Sequence, residues 1–220
     1  FRQVKAMFDP QGMFNPGKIT DAPKMDDREL FRFAPGYEAE DFDSVLDWAA
    51  WPGAAGGFQG AVEMCNNNGA CRKLTGGVMC PSYRATRNDR DVVRGRANSL
   101  RLAMSGQLGP GAMASDAMAE TMKLCVSCKA CKRECPVGVD MARMKVEVTA
   151  ARAAKHGIPL HDRLIGNLPA YAPLASGLSG LSNLVQSVWR HVPGLASLVS
   201  RVTGFTTKRS LPKWHSNAFR

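Results

Sequence analysis

The stretch Cys125-Val126-Ser127-Cys128-Lys129-Ala130-Cys131-Lys132-Arg133-Glu134-Cys135-Pro136 constrains this chain more than any other. Three cysteines separated by two residues each, a fourth after three more and then a proline make the ligand run of an iron–sulfur cluster. The physical reason is compactness: tightly wound spacers let one loop aim three thiolates at one inorganic core. Cys135 begins the next segment, and in two-cluster proteins with this run the fourth cysteine ligates the other cluster. Pro136 removes a backbone donor and fixes the chain direction as it leaves the loop. Cys-x-x-Cys alone is also compatible with a zinc knot or a disulfide pair. Four cysteines at this spacing, ending in proline, are far more specific to a cluster.

All seven cysteines lie between Cys65 and Cys135. A disulfide framework favours an even count and an oxidising compartment, so the clustering fits a reducing cytosol and a metal centre better. A cytoplasmic location follows as an expectation, with membrane contact at most peripheral. No apolar run approaches the ~18 residues of a membrane span, and charges and prolines throughout the first thirty residues exclude a signal peptide. With 220 residues, 45% of them hydrophobic, the chain can bury the core of one or two domains. It opens on Phe1 rather than methionine, and a fragment or processed piece is expected.

The formal net charge of +10 permits nucleic acid, an anionic membrane surface or an acidic partner. Many basic residues instead lie near the cysteines: Arg72, Lys73, Arg84, Arg87, Arg90, Arg94, Arg96, Lys129, Lys132 and Arg133. A thiolate-ligated cluster is an anion, so nearby cations lower the cost of burying it and raise its potential. The basic residues are not interleaved with aromatics, so nucleic-acid binding is not expected.

Cys65, Cys71 and Cys80-Pro81 form a second, degenerate group. Set against the complete run, Cys65 takes the first place, Cys71 the third and Cys80 the last. Asn68 stands in the second place, and an insertion with Gly76-Gly77 stretches the last spacing. Between the groups, Val93, Ala97, Leu100 and Met104 recur at helical spacing from about Asp89, with Asn88 as cap and Gly106 as stop. Ser115 caps a second helix whose Met118, Met122 and Cys125 share a stripe. Asp140 caps a third through Met141, Met144, Val148 and Ala151, ended by Gly157. The methionines read as core packing beside the cysteines.

A cysteine run, two helices, a cysteine run and a helix is the layout of an α-helical ferredoxin domain, and this stretch resembles the iron–sulfur subunits of succinate and glycerol-3-phosphate dehydrogenases. The segment Met79-Cys80-Pro81-Ser82-Tyr83-Arg84-Ala85-Thr86, continuing to Arg94-Gly95-Arg96-Ala97-Asn98, resembles more specifically the version fused to FAD-linked oxidases. Residues 1–19, with the turns Asp9-Pro10-Gln11-Gly12 and Asn15-Pro16-Gly17-Lys18, are similar to the closing segment of the C-terminal domain in that family, which includes D-lactate and D-2-hydroxyglutarate dehydrogenases.

The resemblance implies a mainly α chain in four parts. Residues 1–36 would be the end of an FAD-linked oxidase C-terminal domain, and 37–64 an acidic, Trp- and Gly-rich connector whose Trp48 and Trp51 anchor one domain to the next. Residues 65–157 would be an α-helical ferredoxin domain with two iron–sulfur clusters, and 158–220 a helical extension interrupted at Pro169, Pro173 and Pro193. The extension has apolar stripes at Leu181, Leu184, Val188 and Val192 and at Leu195, Leu198 and Val202. Packing against the core or a downstream domain is expected of it, ahead of an interfacial membrane helix built on Arg190, Arg201, Lys208, Arg209, Trp189 and Trp214. FAD would be bound by an upstream flavoprotein domain, since nothing in 1–36 can bind it alone. Electrons would leave to an acceptor or to a downstream Cys-rich domain of the heterodisulfide-reductase type, whose motif this chain lacks.

Exchanging the fourth ligands divides the cysteines without remainder. Cluster one takes Cys125, Cys128, Cys131 and Cys80; cluster two takes Cys65, Cys71 and Cys135, with Asn68 where a thiolate would stand. The second is open to three forms: a 4Fe-4S centre with Asn68 as ligand, one with water at that iron, or a 3Fe-4S centre. The alternative is that Asn68 merely turns its loop, a role asparagine often plays. The expected function is to carry electrons from flavin, reduced by a D-2-hydroxy acid, to an acceptor. No catalytic residue is expected here: His156, His161, His191 and His215 are scattered, without ligand spacing. The alternatives are a separate iron–sulfur subunit docking on a flavoprotein, and a zinc-stabilised nucleic-acid-binding module.

Overall fold

The structure is a computed structural model that describes residues 1–31, 36, 37, 39, 42–51, 56–192 and 194–217. Glu38, Glu40 and Asp41 of the acidic stretch, the run 52–55, Pro193 and the side chain of Arg190 lie outside the described residues. Regular structure among the described residues is helical: α1 (Arg2–Phe8), α2 (Gly57–Glu63), α3 (Pro81–Thr86), α4 (Val93–Met104), α5 (Asp116–Lys123), α6 (Ala130–Glu134), α7 (Met141–His156), α8 (Leu160–Gly166), α9 (Leu168–Gly177), α10 (Ser179–His191) and α11 (Leu195–Thr203), with short 3-10 turns between them. The chain is therefore mainly α. It divides into two compact units, Phe1–Glu147 and Val148–Arg220, a division that falls inside α7 and ten residues before the one expected from Gly157.

In the first unit the core is built on α4. Its stripe Val93, Ala97, Leu100 and Met104 is buried, as helical periodicity requires of a face turned inward. Asn88 does act as a cap, but of the 3-10 turn Asp89–Asp91, where its side chain accepts from the Arg90 amide at 2.9 Å. The α-helix proper starts after Val92. Ser115 Oγ accepts from Met118 N at 3.2 Å to start α5, and Asp140 Oδ1 accepts from Arg143 N at 3.2 Å to start α7. Met118, Met122, Met141 and Met144 are all buried, between 0% and 3% exposed, and fill the core with adaptable side chains.

The described part of the Gly-rich stretch lies within the first unit. Residues 57–63 form α2, which buries Phe58, Gln59, Gly60, Ala61 and Val62 and packs against α4. Trp48 is buried against Phe58 and Trp51, with ring centroids 5.0 and 5.2 Å away. Its indole N–H donates to Glu147 Oε1 at 2.7 Å. Glu147 is fully buried in α7 and also accepts from the Val45 and Leu46 amides at 2.9 and 3.0 Å. Three donors on one carboxylate satisfy a charge that would otherwise be costly inside a core. Arg143, one turn earlier, lies over both tryptophan rings at 4.7 and 5.1 Å.

At the start of the chain, α1 ends at Phe8 and the Asp9 carboxylate closes the turn beyond it, accepting from Met13 N and Phe14 N at 2.9 Å each and from Lys5 Nζ at 2.5 Å. The Lys5 ammonium beside it, helped by those two amides, holds its carboxyl below the usual carboxylate range.

The second unit is a set of short helices with no buried residue in α8, α9 or α11. Pro169 sits in the first turn of α9, where its missing N–H has no partner to lose. Pro173 does not interrupt the segment as expected, because α9 runs through it. Trp214 folds back on α10 through a reciprocal pair with Asn183, at 2.8 and 2.9 Å. Leu181, Leu184, Val188, Val192, Leu198 and Val202 remain exposed. Among the described residues no helix is long and apolar enough to cross a membrane.

Two outcomes test this packing. A Cβ at Gly95 would stand 1.9 Å from the Asp89 carbonyl oxygen and 2.9 Å from its carbon, so α4 and the 3-10 turn must part to admit one. Gly95→Ala should therefore cost about 1–3 kcal/mol of stability, read as a lower denaturation midpoint with an unchanged slope. The Asp9 turn has a depressed folded pKa. Its contribution is complete above the unfolded aspartate value of about 3.9 and is lost as pH falls through the lower folded value. Amide exchange at Met13 and Phe14 should stay protected at neutral pH and accelerate only in that acid window.

Candidate metal centre

The cysteines become neighbours because three pieces of α4's surroundings converge. The loop 125–129 carries Ser127 and Lys129 in left-handed backbone, φ +53° and +57°, a conformation uncommon for side-chain-bearing residues. These two reversals wind the spacers tightly and deliver Cys131 into the first turn of α6. Pro81 begins α3, so Cys80 stands as the residue before a helix. Asp140 starts α7 beside them.

One small cavity is lined by Cys80 together with Cys125, Cys128 and Cys131. The other walls include Arg96, Ser82 and the start of α7, and among the described residues no carboxylate lines it. All seven cysteines are free thiols. Cys80 and Cys131 are buried, Cys125 is half-buried and Cys128 is exposed, so the cavity has a dry side and a wet side. Burial pushes the Cys131 thiol up, while the Met141 and Ala142 amides at the start of α7 pull it down. Those amides are donors for a metal-bound thiolate, the bonds that tune such a centre.

The loop carrying Cys80 is latched to the helix carrying Cys131 by Glu134. Its carboxylate accepts from the Val78 and Met79 amides at 2.8 and 3.0 Å, and these bonds hold its pKa below the ordinary range. The latch needs Gly77, which has φ +56° and where a Cβ would lie 2.4 Å from Glu134 Oε2. Sequence reading passed over Glu134 as a spacer between two cysteines. The glycine pair 76–77 was the signal of a close approach.

The degenerate group also approaches α6. Cys65 and Cys71 are buried. Burial raises the Cys71 thiol, the Arg94 amide opposes this, and the negative form of Cys65 adds to it. The 3-10 turn Ala70–Arg72 that holds Cys71 packs against α6, whose last residue is followed by Cys135. Asn68 is exposed and its side chain is engaged locally: Oδ1 accepts from Ala70 N at 2.8 Å and Nδ2 donates to Asn66 Oδ1 at 2.6 Å. Asn67 instead points an oxygen at Cys65 Sγ, 3.9 Å away, and is held there by Asn98 Nδ2 at 2.9 Å.

The donor chemistry fits an iron–sulfur cluster. Four thiols surround a space without carboxylates, and a buried guanidinium and helix-start amides face it. Among the described residues no group of three or more His, Cys, Asp or Glu side chains stands ready to hold a metal ion. Glu134→Ala should free the Cys80 loop while leaving every thiol in place. Iron loss from the four-cysteine centre to a chelator should then accelerate about 10–100-fold, with the helical circular dichroism unchanged.

Comparison with known proteins agrees with this geometry. Residues 61–139 match the family described as a 4Fe-4S dicluster domain. The chain is 28% identical to a D-2-hydroxyglutarate dehydrogenase of Pseudomonas putida, over 86% of this chain and 21% of that protein. It is also 28% identical to the Escherichia coli enzyme of the same name, over 79% and 20%, and 26% identical to that of Pantoea ananatis, over 83% and 20%. The chain thus spans about a fifth of the length of the curated relatives it matches. No solved structure matches it. Residues 61–139 thus resemble a 4Fe-4S dicluster domain, within a chain similar along most of its length to D-2-hydroxyglutarate dehydrogenases.

Proposed function

We propose that this chain is the iron–sulfur electron-transfer portion of an FAD-dependent oxidoreductase acting on a D-2-hydroxy acid of the lactate or 2-hydroxyglutarate class. The observation that carries the reading is the cavity shared by Cys80 and Cys125, Cys128 and Cys131, which unites ligands from both cysteine groups. Cys80, Cys125, Cys128 and Cys131 would hold one cluster, and Cys65, Cys71 and Cys135 the other. When bound, the clusters supply one-electron transfer, dividing the electron pair of a reduced flavin into single steps.

The protein's own work is to bind, orient and tune. The α7 amides and the Glu134 latch hold the thiols of the first centre in place, and its exposed Cys128 edge provides an exit or entry for electrons. At the second centre the missing thiolate leaves less negative charge, which favours a higher potential. Asn68 remains the proposed occupant of that place, as a ligand in a loop that would first have to release its turn bonds. A water ligand or a 3Fe-4S centre would use the loop as it stands.

FAD would sit in an upstream flavoprotein domain. The relatives carry their matching stretch within polypeptides about five times as long, which supports fusion over a separate docking subunit. The acceptor would be reached through a downstream Cys-rich domain or directly.

The test is iron and sulfide content with electron paramagnetic resonance on the parent protein, purified without oxygen. Two cluster signals are expected, and a D-2-hydroxy acid should reduce both. Cys80→Ser should alter the first signal and Cys135→Ser the second. A colourless protein retaining zinc, or Cys135→Ser acting on the first centre, would refute the reading. Asn68→Cys should lower the potential of the second centre alone if Asn68 occupies the ligand place, and leave it unchanged if Asn68 only turns the loop.

A further inference from the structure

We propose that Arg96 is the counter-ion of the four-cysteine centre and raises its reduction potential, an inference that rests on the cluster reading above. Arg96 lies in α4, is completely buried and lines the cavity. Its Nε donates to the Thr121 carbonyl at 3.0 Å, Nη1 and Nη2 both donate to Ser82 Oγ at 3.1 Å, and Nη1 reaches Cys80 Sγ at 3.7 Å. No carboxylate pairs with it among the described residues.

A guanidinium without an anion is expensive to bury. Two carboxylates of this unit are as deeply buried and each is met by donors or a cation: Glu147 accepts three hydrogen bonds, and Asp140 accepts from the Arg143 amide with Lys132 Nζ 3.8 Å away. Arg96 has only neutral oxygens and a sulfur, so the anion that would complete its pairing is the thiolate set itself. The local bonds allow the change. As a thiol, Cys80 can donate to the Asp91 carbonyl at 3.7 Å or share a bond with Ser82 Oγ at 3.3 Å. As a metal-bound thiolate it has no proton to give and becomes an acceptor for Arg96. Ser82 is fixed for this by donating to Asp91 O at 2.7 Å, which turns its lone pairs toward the guanidinium.

A fixed cation beside the centre favours whichever state carries more negative charge, the reduced one. The basic residues near Cys71 are spent differently: Arg72 and Arg94 both pair with Asp89, at 3.3 Å each. Arg96 therefore acts on one centre. With four thiolates that centre would otherwise be the lower in potential, and the buried cation brings it up toward its three-cysteine neighbour.

The experiment is a redox titration followed by electron paramagnetic resonance on the parent protein, comparing wild type with Arg96→Gln and Arg96→Lys. Arg96→Gln should reduce the ratio of reduced to oxidised four-cysteine centre, measured at the wild-type midpoint, roughly tenfold, or about 59 mV for one electron. Arg96→Lys should recover much of this, and the three-cysteine centre should not move in either variant. A loaded Arg96→Gln protein with the wild-type midpoint, or one in which both centres shift together, overturns the proposal. Should Arg96→Gln fail to load, loading of Arg96→Lys supports charge compensation, whereas failure of both overturns it. Wild-type protein without iron would instead refute the cluster reading itself.

Discussion

Cys80 must be held against a loop that begins forty-five residues later, and the first unit is arranged to hold it there. The attachment is made twice. On one side Glu134, from the helix that follows Cys131, takes the amides of Val78 and Met79. On the other, Arg96 grips Ser82, two residues beyond Cys80, and the Thr121 carbonyl at the end of the helix leading to Cys125. Both tethers bind charged side chains to backbone or hydroxyl groups, bonds stronger than neutral pairs. Helix α4 stands between the two cysteine loops and is itself kept close to the 3-10 turn before it by the absence of a side chain at Gly95.

Charge is distributed in the same economical way. The buried carboxylates Glu147 and Asp140 are used structurally, the first to clamp the tryptophan segment and the second to begin α7. Neither lines the cavity. The cation that does so from a buried position is Arg96. A site surrounded by thiols, helix-start amides and a guanidinium, with acids kept behind it, is suited to an anionic group that gains and loses single electrons.

Several parts of this were legible in the chain before any coordinates. Val93, Ala97, Leu100 and Met104 predicted their own burial through spacing, and Ser115 and Asp140 announced the starts of α5 and α7, because periodicity and capping are local. The Gly-rich segment was less readable. Phe58 to Val62 form a buried helix whose stability comes from packing on α4 rather than from propensity, and such tertiary support leaves little local trace. Glu147 likewise meets partners about a hundred residues away, a pairing no spacing rule encodes.

The sequence by itself determined the chemistry of the site, since the spacing of Cys125, Cys128, Cys131 and Cys135 before Pro136 limits which inorganic group a loop can wrap. It also determined that Cys65, Cys71 and Cys80 make a weaker second set with Asn68 in a cysteine's place. Only the tertiary structure decided which thiols face one another, and which of ten basic residues near the cysteines becomes a buried charge. Arg96 is such a residue because α4 turns it inward, while Lys73, Arg87, Lys132 and Arg133 remain exposed. Charge is written in the chain residue by residue, but its energetic weight depends on the surrounding dielectric, which exists only after folding.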